Sequence, residues 1–393
     1  MDTPERFVDA EADFLEAARA TTGFSDFGEP AFLDGLRRLL SALDRDLERG
    51  RAERAACVNL VLAPLIARLY AQEGWRRRPE TLSAQLRAPV FIVGAPRTGT
   101  TALHQLLAAD PGWQGLESWL VATPMVRPPR QGWTSMPEYR TAVARSRAKL
   151  AAAPELRSMH FVEPHEVDEC LRVTAQTLVS NIFGTLATAP SYDAWFLAQD
   201  FRPAFRRLAD NLRLIGADEP HRRWLLKNPS HLLNLEELLE VFPDAKVIHT
   251  HRDPLQSFAS FWSLMGTLQK PYDGPGWRPR KSVEREARLW GEALDRSIEI
   301  QQRHPDRILD VYEPDIAARP SDVVRRVYAF VGQPFTDEAQ AAVAAWVAGN
   351  PKGKHGVHRY AFEDFGTTAD EIEDHVAAYR SHHGFATRAA ARA

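Results

Sequence analysis

Cysteine is scarce in this chain: two residues, Cys57 and Cys170, among 393. They stand far apart, so no disulfide framework can hold the fold, and a reducing compartment is the expectation. Charge of one sign is not in excess either, the formal net charge being −3 at pH 7. That balance gives no global footprint for nucleic acid or an acidic membrane, so any anion site has to be local. Long apolar runs are missing as well. The longest, near CVNLVLAPLIARLY, is interrupted by Pro64 and Arg68 and reads as too short to span a bilayer. The opening MDTPERFVDAEADF has no basic stretch leading into an apolar one, so no secretory signal is expected and a cytoplasmic location is. The histidines do not stand at ligand spacing from the cysteines, and no metal is assigned.

What remains is ordinary globular composition, 44% hydrophobic and 26% charged. Residues 1 to about 85 carry apolar positions at three- and four-residue spacing and read as helices. The pattern then changes. APVFIVGAP, RRWLLKNP, DAKVIHTHRDP and DRILDVYEPD are short apolar runs, each followed by a turn signal and a helical pattern. Such runs suit strands buried on both faces of a parallel sheet. The expected fold is a doubly wound α/β sheet flanked by helices, with ligands at the carboxyl ends of its strands. A helical region over 1–88 precedes an α/β domain over 89–393, which contains a helical insertion at about 112–222. The segment KPYDGPGWRPRKS reads as a loop.

The first strand runs into GAPRTGTT, a glycine-rich turn that opens a helix. Such a turn offers unpaired backbone N–H groups at the positive end of the helix dipole, which binds phosphate or sulfate. Gly94 and Gly99 let the backbone close on the anion. Thr98, Thr100 and Thr101 add hydroxyls, and Arg97 is the loop's cation. A triphosphatase loop carries lysine after its second glycine; here that position is Thr100, which disfavours a triphosphate–magnesium site. Later, HTHRDPLQSFASFWS places Arg252 at the end of a strand, with Ser257 and Ser260 on the next helix. Arginine's forked, permanent charge suits a terminal phosphate.

Taken together, these segments resemble the sulfotransferases that use 3′-phosphoadenosine 5′-phosphosulfate (PAPS), and in particular their large bacterial branch. The resemblance runs from about Pro89 to Gly366. It implies a P-loop-like fold in which PRTGTT, from Pro96 to Thr101, holds the 5′-phosphosulfate. It implies that Arg252 and Ser260 hold the 3′-phosphate and that Tyr312 lies near the adenine. It also implies a late loop, PKGKHG, in which Lys352 and Gly353 close over the 3′-phosphate. Two departures stand out: Pro351 where many relatives have arginine, and Ala102 where cytosolic relatives place a tryptophan against adenine.

Sulfuryl transfer follows the logic of phosphoryl transfer, in-line attack with charge spread over the equatorial and leaving oxygens. Arg97 and Lys227 are the candidates to stabilise that charge. Three residues compete as general base for a hydroxyl or amine acceptor: His231 in KNPSHLL, Glu117 in GLESW, and Glu166 in EPHEVDEC. His231 is narrowly preferred. The acceptor is expected to be a small molecule or carbohydrate. Trp113, Trp119, Trp133, Tyr192, Trp195 and Trp277 are candidates to shape its site. No nucleic-acid or membrane partner is expected, and a homodimer is possible. The rival readings are a small-molecule kinase of related fold and an inactive nucleotide-binding protein.

Overall fold

Val90, Phe91, Ile92 and Val93 are apolar on both sides of the backbone, and all four are buried in strand β1 (Val90–Val93). In the computed structural model, which describes residues 1–159, 161–350 and 361–385, β1 is the central strand of a five-stranded sheet. β2 (Trp113–Gln114), β3 (Arg223–Lys227), β4 (Lys246–His251) and β5 (Ile308–Tyr312) complete it in the order β2-β3-β1-β4-β5. All pairs are parallel, with Ile92 opposite Lys227 and Ile248, and His249 opposite Asp310. Four strands coincide with the four apolar runs of the sequence. The fifth, β2, has two residues and no run to announce it. From β1 the chain goes to the edge at β2, returns inward through β3, and then crosses to β4 and β5 on the other side. The loops after β1 and β4 therefore meet at the point where the strand order reverses, the usual ligand position in such sheets.

Side chains alternate across the sheet. Val90, Ile92, Leu225, Ile248 and Val311 share one face with Leu103, Leu106 and Leu107 of helix α4 (Thr100–Ala108). Val323, Val324, Val327 and Tyr328 from the helix Pro320–Val331 pack into the same core. Each such side chain contributes roughly 1.5–3 kcal/mol by leaving water. Its polar groups are matched. Trp113 Nε1 donates to the Tyr328 hydroxyl at 2.8 Å, and that hydroxyl donates to Asp110 Oδ2 at 2.5 Å. On the opposite face Phe91 meets Phe242, ring centres 5.0 Å apart.

The chain divides into two compact units. The sheet belongs to the one made of Arg87–Gln114, Arg223–Gly266 and the described part of Arg278–Ala393. The other comprises Met1–Leu86, Gly115–Arg222 and Thr267–Trp277. It is helical, beginning with α1 (Glu11–Thr22), α2 (Phe32–Arg45) and α3 (Arg51–Arg77). In α2, Phe32, Leu36, Leu39, Leu40 and Leu43 recur at three- and four-residue spacing and are buried. Pro64 lies inside α3 without ending it. Burial of Cys57, Val61, Leu65 and Leu69 around it offsets the roughly 3 kcal/mol an interior proline costs. At 27 residues, α3 is long and apolar enough to cross a membrane, longer than the interrupted run in the sequence suggested. Its Arg68 is buried and donates to the carbonyls of Phe27, Gln176 and Glu29 at 2.6, 3.1 and 2.8 Å.

KPYDGPGWRPRKS is not the loop its prolines and glycines suggest. The helix Pro254–Asp273 continues through Pro271, and Gly274–Gly276 makes one 3₁₀ turn. The helix Pro279–Arg303 then starts on a proline at its first position, where a missing N–H costs nothing.

Candidate active site

β1 ends at Val93, and the next residue has to let the backbone turn away from β4. Gly94 does so at φ +146°. A Cβ there would stand 2.5 Å from both the carbonyl oxygen and Oγ1 of Thr250, so only glycine fits. Thr98 fastens the turn: its hydroxyl donates to Ala95 O at 2.7 Å and lies 2.6 Å from Thr250 Oγ1. Gly99, at φ +88°, caps α4, whose first residues Thr100 and Thr101 follow at once. Arg97 takes φ +68°, a left-handed conformation that a long side chain rarely adopts. Strain of this kind collects at ligand-binding loops. The loop Gly94–Thr101, with Pro96 buried inside it, thus leads straight into the first amides of α4, which have no partner within the helix.

Two further cations reach this loop. Lys227, at the carboxyl end of β3 and opposite Ile92, lies on the α4 face of the sheet and donates to Thr101 Oγ1 at 3.2 Å. It is 1% exposed, a buried ammonium at the foot of the loop. Arg252 follows β4 directly. Its Nη1 is 3.5 Å from the Arg97 carbonyl oxygen, and its Nε is 3.7 Å from Glu313 Oε2. That Nε is buried and has no hydrogen-bond partner among the described residues. Such a donor is costly to leave unsatisfied, and an anion would satisfy it. Glu313 was not singled out from the sequence. It follows the carboxyl end of β5, and that position was the signal available.

Other candidates stand elsewhere. Ser260 is partly buried on the helix that follows Arg252. Tyr312 turns its ring toward His251, 5.2 Å between centres, and its hydroxyl lies 3.1 Å from His383 Nδ1. Lys352 and Gly353 fall outside the described residues.

Of the three candidate bases, His231 belongs to the unit that carries the loop, and Glu117 and Glu166 to the other. His231 packs edge-on against Phe91 at 5.7 Å, and its Nδ1 lies 3.2 Å from Asn228 Nδ2. Phe91 points to the face opposite Ile92, so His231 and Lys227 lie on opposite faces of the sheet. Burial pushes the His231 imidazole down to about 3, so it is neutral at ordinary pH. Glu117 and Glu166 belong to the helical unit and are neighbours there: Glu117 bridges Val167, and Ser118 N donates to the Glu166 carbonyl at 3.0 Å. Glu117 accepts from Arg127 Nε at 3.1 Å; Glu166 Oε2 accepts from the Glu163 amide at 2.8 Å.

Four of the aromatic candidates are core rather than rim. Trp113, Trp119, Trp133 and Tyr192 are all buried, while Trp195 and Trp277 are partly exposed.

Residues 89–337 match a family model described as sulfotransferase family. The omega-hydroxy-beta-dihydromenaquinone-9 sulfotransferase Stf3 of Mycobacterium bovis is 27% identical over 268 residues. The match covers 65% of this chain and 65% of that relative, and the Mycobacterium tuberculosis protein of the same name matches equally. In structure the chain is similar to sulfotransferase STF1 from Mycobacterium tuberculosis, at 31% identity and a TM-score of 0.86, over 95% of this chain and all of that one. It is also similar to sulfotransferase STF9 from Mycobacterium avium, at 23% identity and a TM-score of 0.86, over 94% and 96% of the two chains. The family match begins one residue before β1 and takes in every strand that carries a loop of the site, so the chain belongs to the sulfotransferase family, in its bacterial branch.

Proposed function

We propose that this chain is a PAPS-dependent sulfotransferase that acts on a hydroxyl of a small-molecule acceptor. The observation that carries the reading is the Arg252 guanidinium. It sits against the Arg97 carbonyl at the glycine loop with a buried Nε that lacks a hydrogen-bond partner among the described residues. The loop fits the 5′ end of the donor, since Gly94 and Gly99 leave room where a Cβ would meet Thr250 or Glu313. Arg252 suits the 3′-phosphate.

The donor supplies an activated sulfuryl group and a phosphate leaving group. Lys227 and Arg97 stabilise the charge that develops on leaving, and their work is positioning and electrostatics, without redox or covalent chemistry on the protein. Of the candidate bases, His231 is poorly suited. A base works best with a pKa near the operating pH, and the His231 ring, at about 3, is far below it. The proton is assigned to a carboxylate, Glu117 or Glu166. That the Stf3 relatives are named for a hydroxylated menaquinone supports an acceptor with a lipid-like hydroxyl. A carbohydrate or amine acceptor is a weaker fit to that likeness.

Calorimetric titration with 3′-phosphoadenosine 5′-phosphate, without magnesium, tests the donor. Wild type is expected to bind in the micromolar range, on the order of −8 kcal/mol. Arg252→Ala is expected to weaken binding at least about tenfold, because a charged hydrogen bond is lost. No binding by wild type, together with binding of magnesium–ATP, would replace this reading with a kinase.

A further inference from the structure

His249 and His251 alternate on β4, and so their side chains share a face of the sheet. The parallel register sets Asp310 of β5 directly opposite His249. One ring nitrogen from each histidine and a carboxylate oxygen of Asp310 lie within 4.8 Å of one another. His249 is 1% exposed, and neither of its ring nitrogens has a hydrogen-bond partner among the described residues. Two buried lone-pair or N–H sites left bare are expensive in a low-dielectric interior. A neutral imidazole bares one lone pair and one N–H, and an electron-pair acceptor satisfies the first of these.

We infer that His249, His251 and Asp310 form a binding site for one divalent transition-metal ion of the zinc class. Two imidazoles and a carboxylate are a borderline-soft donor set, suited to zinc and its neighbours rather than to magnesium or calcium. The supporting groups are in place. His251 Nε2 is 2.9 Å from Asp310 Oδ1, so that edge already faces the carboxylate, while Nδ1 is 2.6 Å from the Tyr379 hydroxyl. Metal on Nε2 selects the tautomer that donates from Nδ1 to the Tyr379 oxygen. Gln301 donates to Asp310 Oδ2 at 2.7 Å and fixes the other end of the carboxylate. Partners of this kind orient ligands in known sites. Tetrahedral zinc at ordinary bond lengths sets ligand atoms about 3.4 Å apart, so the three need only modest movement. Asp310 is 29% exposed in its side chain, which gives an ion a way in, and the fourth position is left to water.

The sequence concealed this group because its members were sought at fixed spacing from cysteine. They come instead from adjacent strands. The site is independent of the donor reading, although His251 immediately precedes Arg252.

The test is zinc chloride titrated into metal-free protein against a chromophoric chelator, with the visible spectrum of the cobalt(II) protein as a second readout. Wild type is expected to take one equivalent and to give the intense bands of a tetrahedral cobalt centre. His249→Gln and Asp310→Asn are expected to weaken binding by more than about 100-fold, and Gln301→Ala by about 10–100-fold. Asp310 is partly exposed, so its variant decides the matter if His249→Gln fails to fold. Absence of one-equivalent binding by wild type overturns the inference, and so does unchanged affinity in the folded ligand variants.

Discussion

His231 shows how far a single residue can be read. Its neighbours in KNPSHLL look catalytic, but the sequence does not say which face of the sheet the ring will take. That depends on one backbone turn after β3, and the turn sets the ring against Phe91, away from Lys227. The places of Arg97, Thr98, Arg252 and Lys227, in a glycine turn and at strand ends, were legible because apolar runs and turn signals mark where strands stop. Glu313 was given no role of its own, because its place directly after a strand does not by itself say what the acid faces. The base assignment is checked by rate. With donor and a working acceptor, His231→Asn is expected to keep turnover within about tenfold of wild type. Glu117→Gln or Glu166→Gln, whichever is the base, is expected to lose about 10²–10⁴ in rate. Loss of that size in His231→Asn, with both glutamine variants active, would reverse the assignment.

At the scale of elements, apolar run and strand coincide where both faces are buried, as in β1, β3, β4 and β5. They fail to coincide where tertiary contacts override local preference. The segment after Lys270 is the instance: Pro271 stays helical, and Asp273 at the helix end forms an ion pair with Arg49 that is 0% exposed on both sides. Asp273 also accepts from the amide and hydroxyl of Thr188. Asp273→Ala leaves the Arg49 charge buried and unpaired, and is expected to cost about 3–5 kcal/mol in a urea denaturation series. Arg49→Met should cost no less. Its guanidinium also serves the carbonyls of Leu43, Leu47, Thr188 and Tyr272, and those acceptors would lose their donor. For the same reason the double substitution by apolar residues is not expected to restore stability, contrary to the usual result for isolated buried pairs. Recovery in the double variant would mean that the carbonyls find other partners.

For the whole molecule, the sheet's parallel class was readable from the sequence, and its strand order was not. Order depends on which crossover covers which face, and no local pattern encodes that. Nor does the sequence show that the helices before β1 and those after β2 belong to one compact unit. Burial makes the molecule as a whole sensitive to acid. The His231 ring has a folded value of about 3 against 6.5 for an ordinary histidine. Between those values the unfolded chain binds a proton that the folded one refuses, so stability falls as pH falls. The contribution is complete above about pH 6.5, begins to fail below it, and is exhausted near pH 3. From pH 6.5 to pH 5, before most carboxylates titrate, this one group accounts for about 1.6 kcal/mol, the slope rising from half its limit toward roughly 1.4 kcal/mol per pH unit. Unfolding free energies from urea titrations across that window should decline in wild type, and those of His231→Asn should decline by about 1.6 kcal/mol less. Asparagine keeps a polar group beside Asn228 but has no proton to gain, so the difference isolates the ring. Equal slopes in the two proteins would mean that the ring is protonated without unfolding, through an opening at the end of β3.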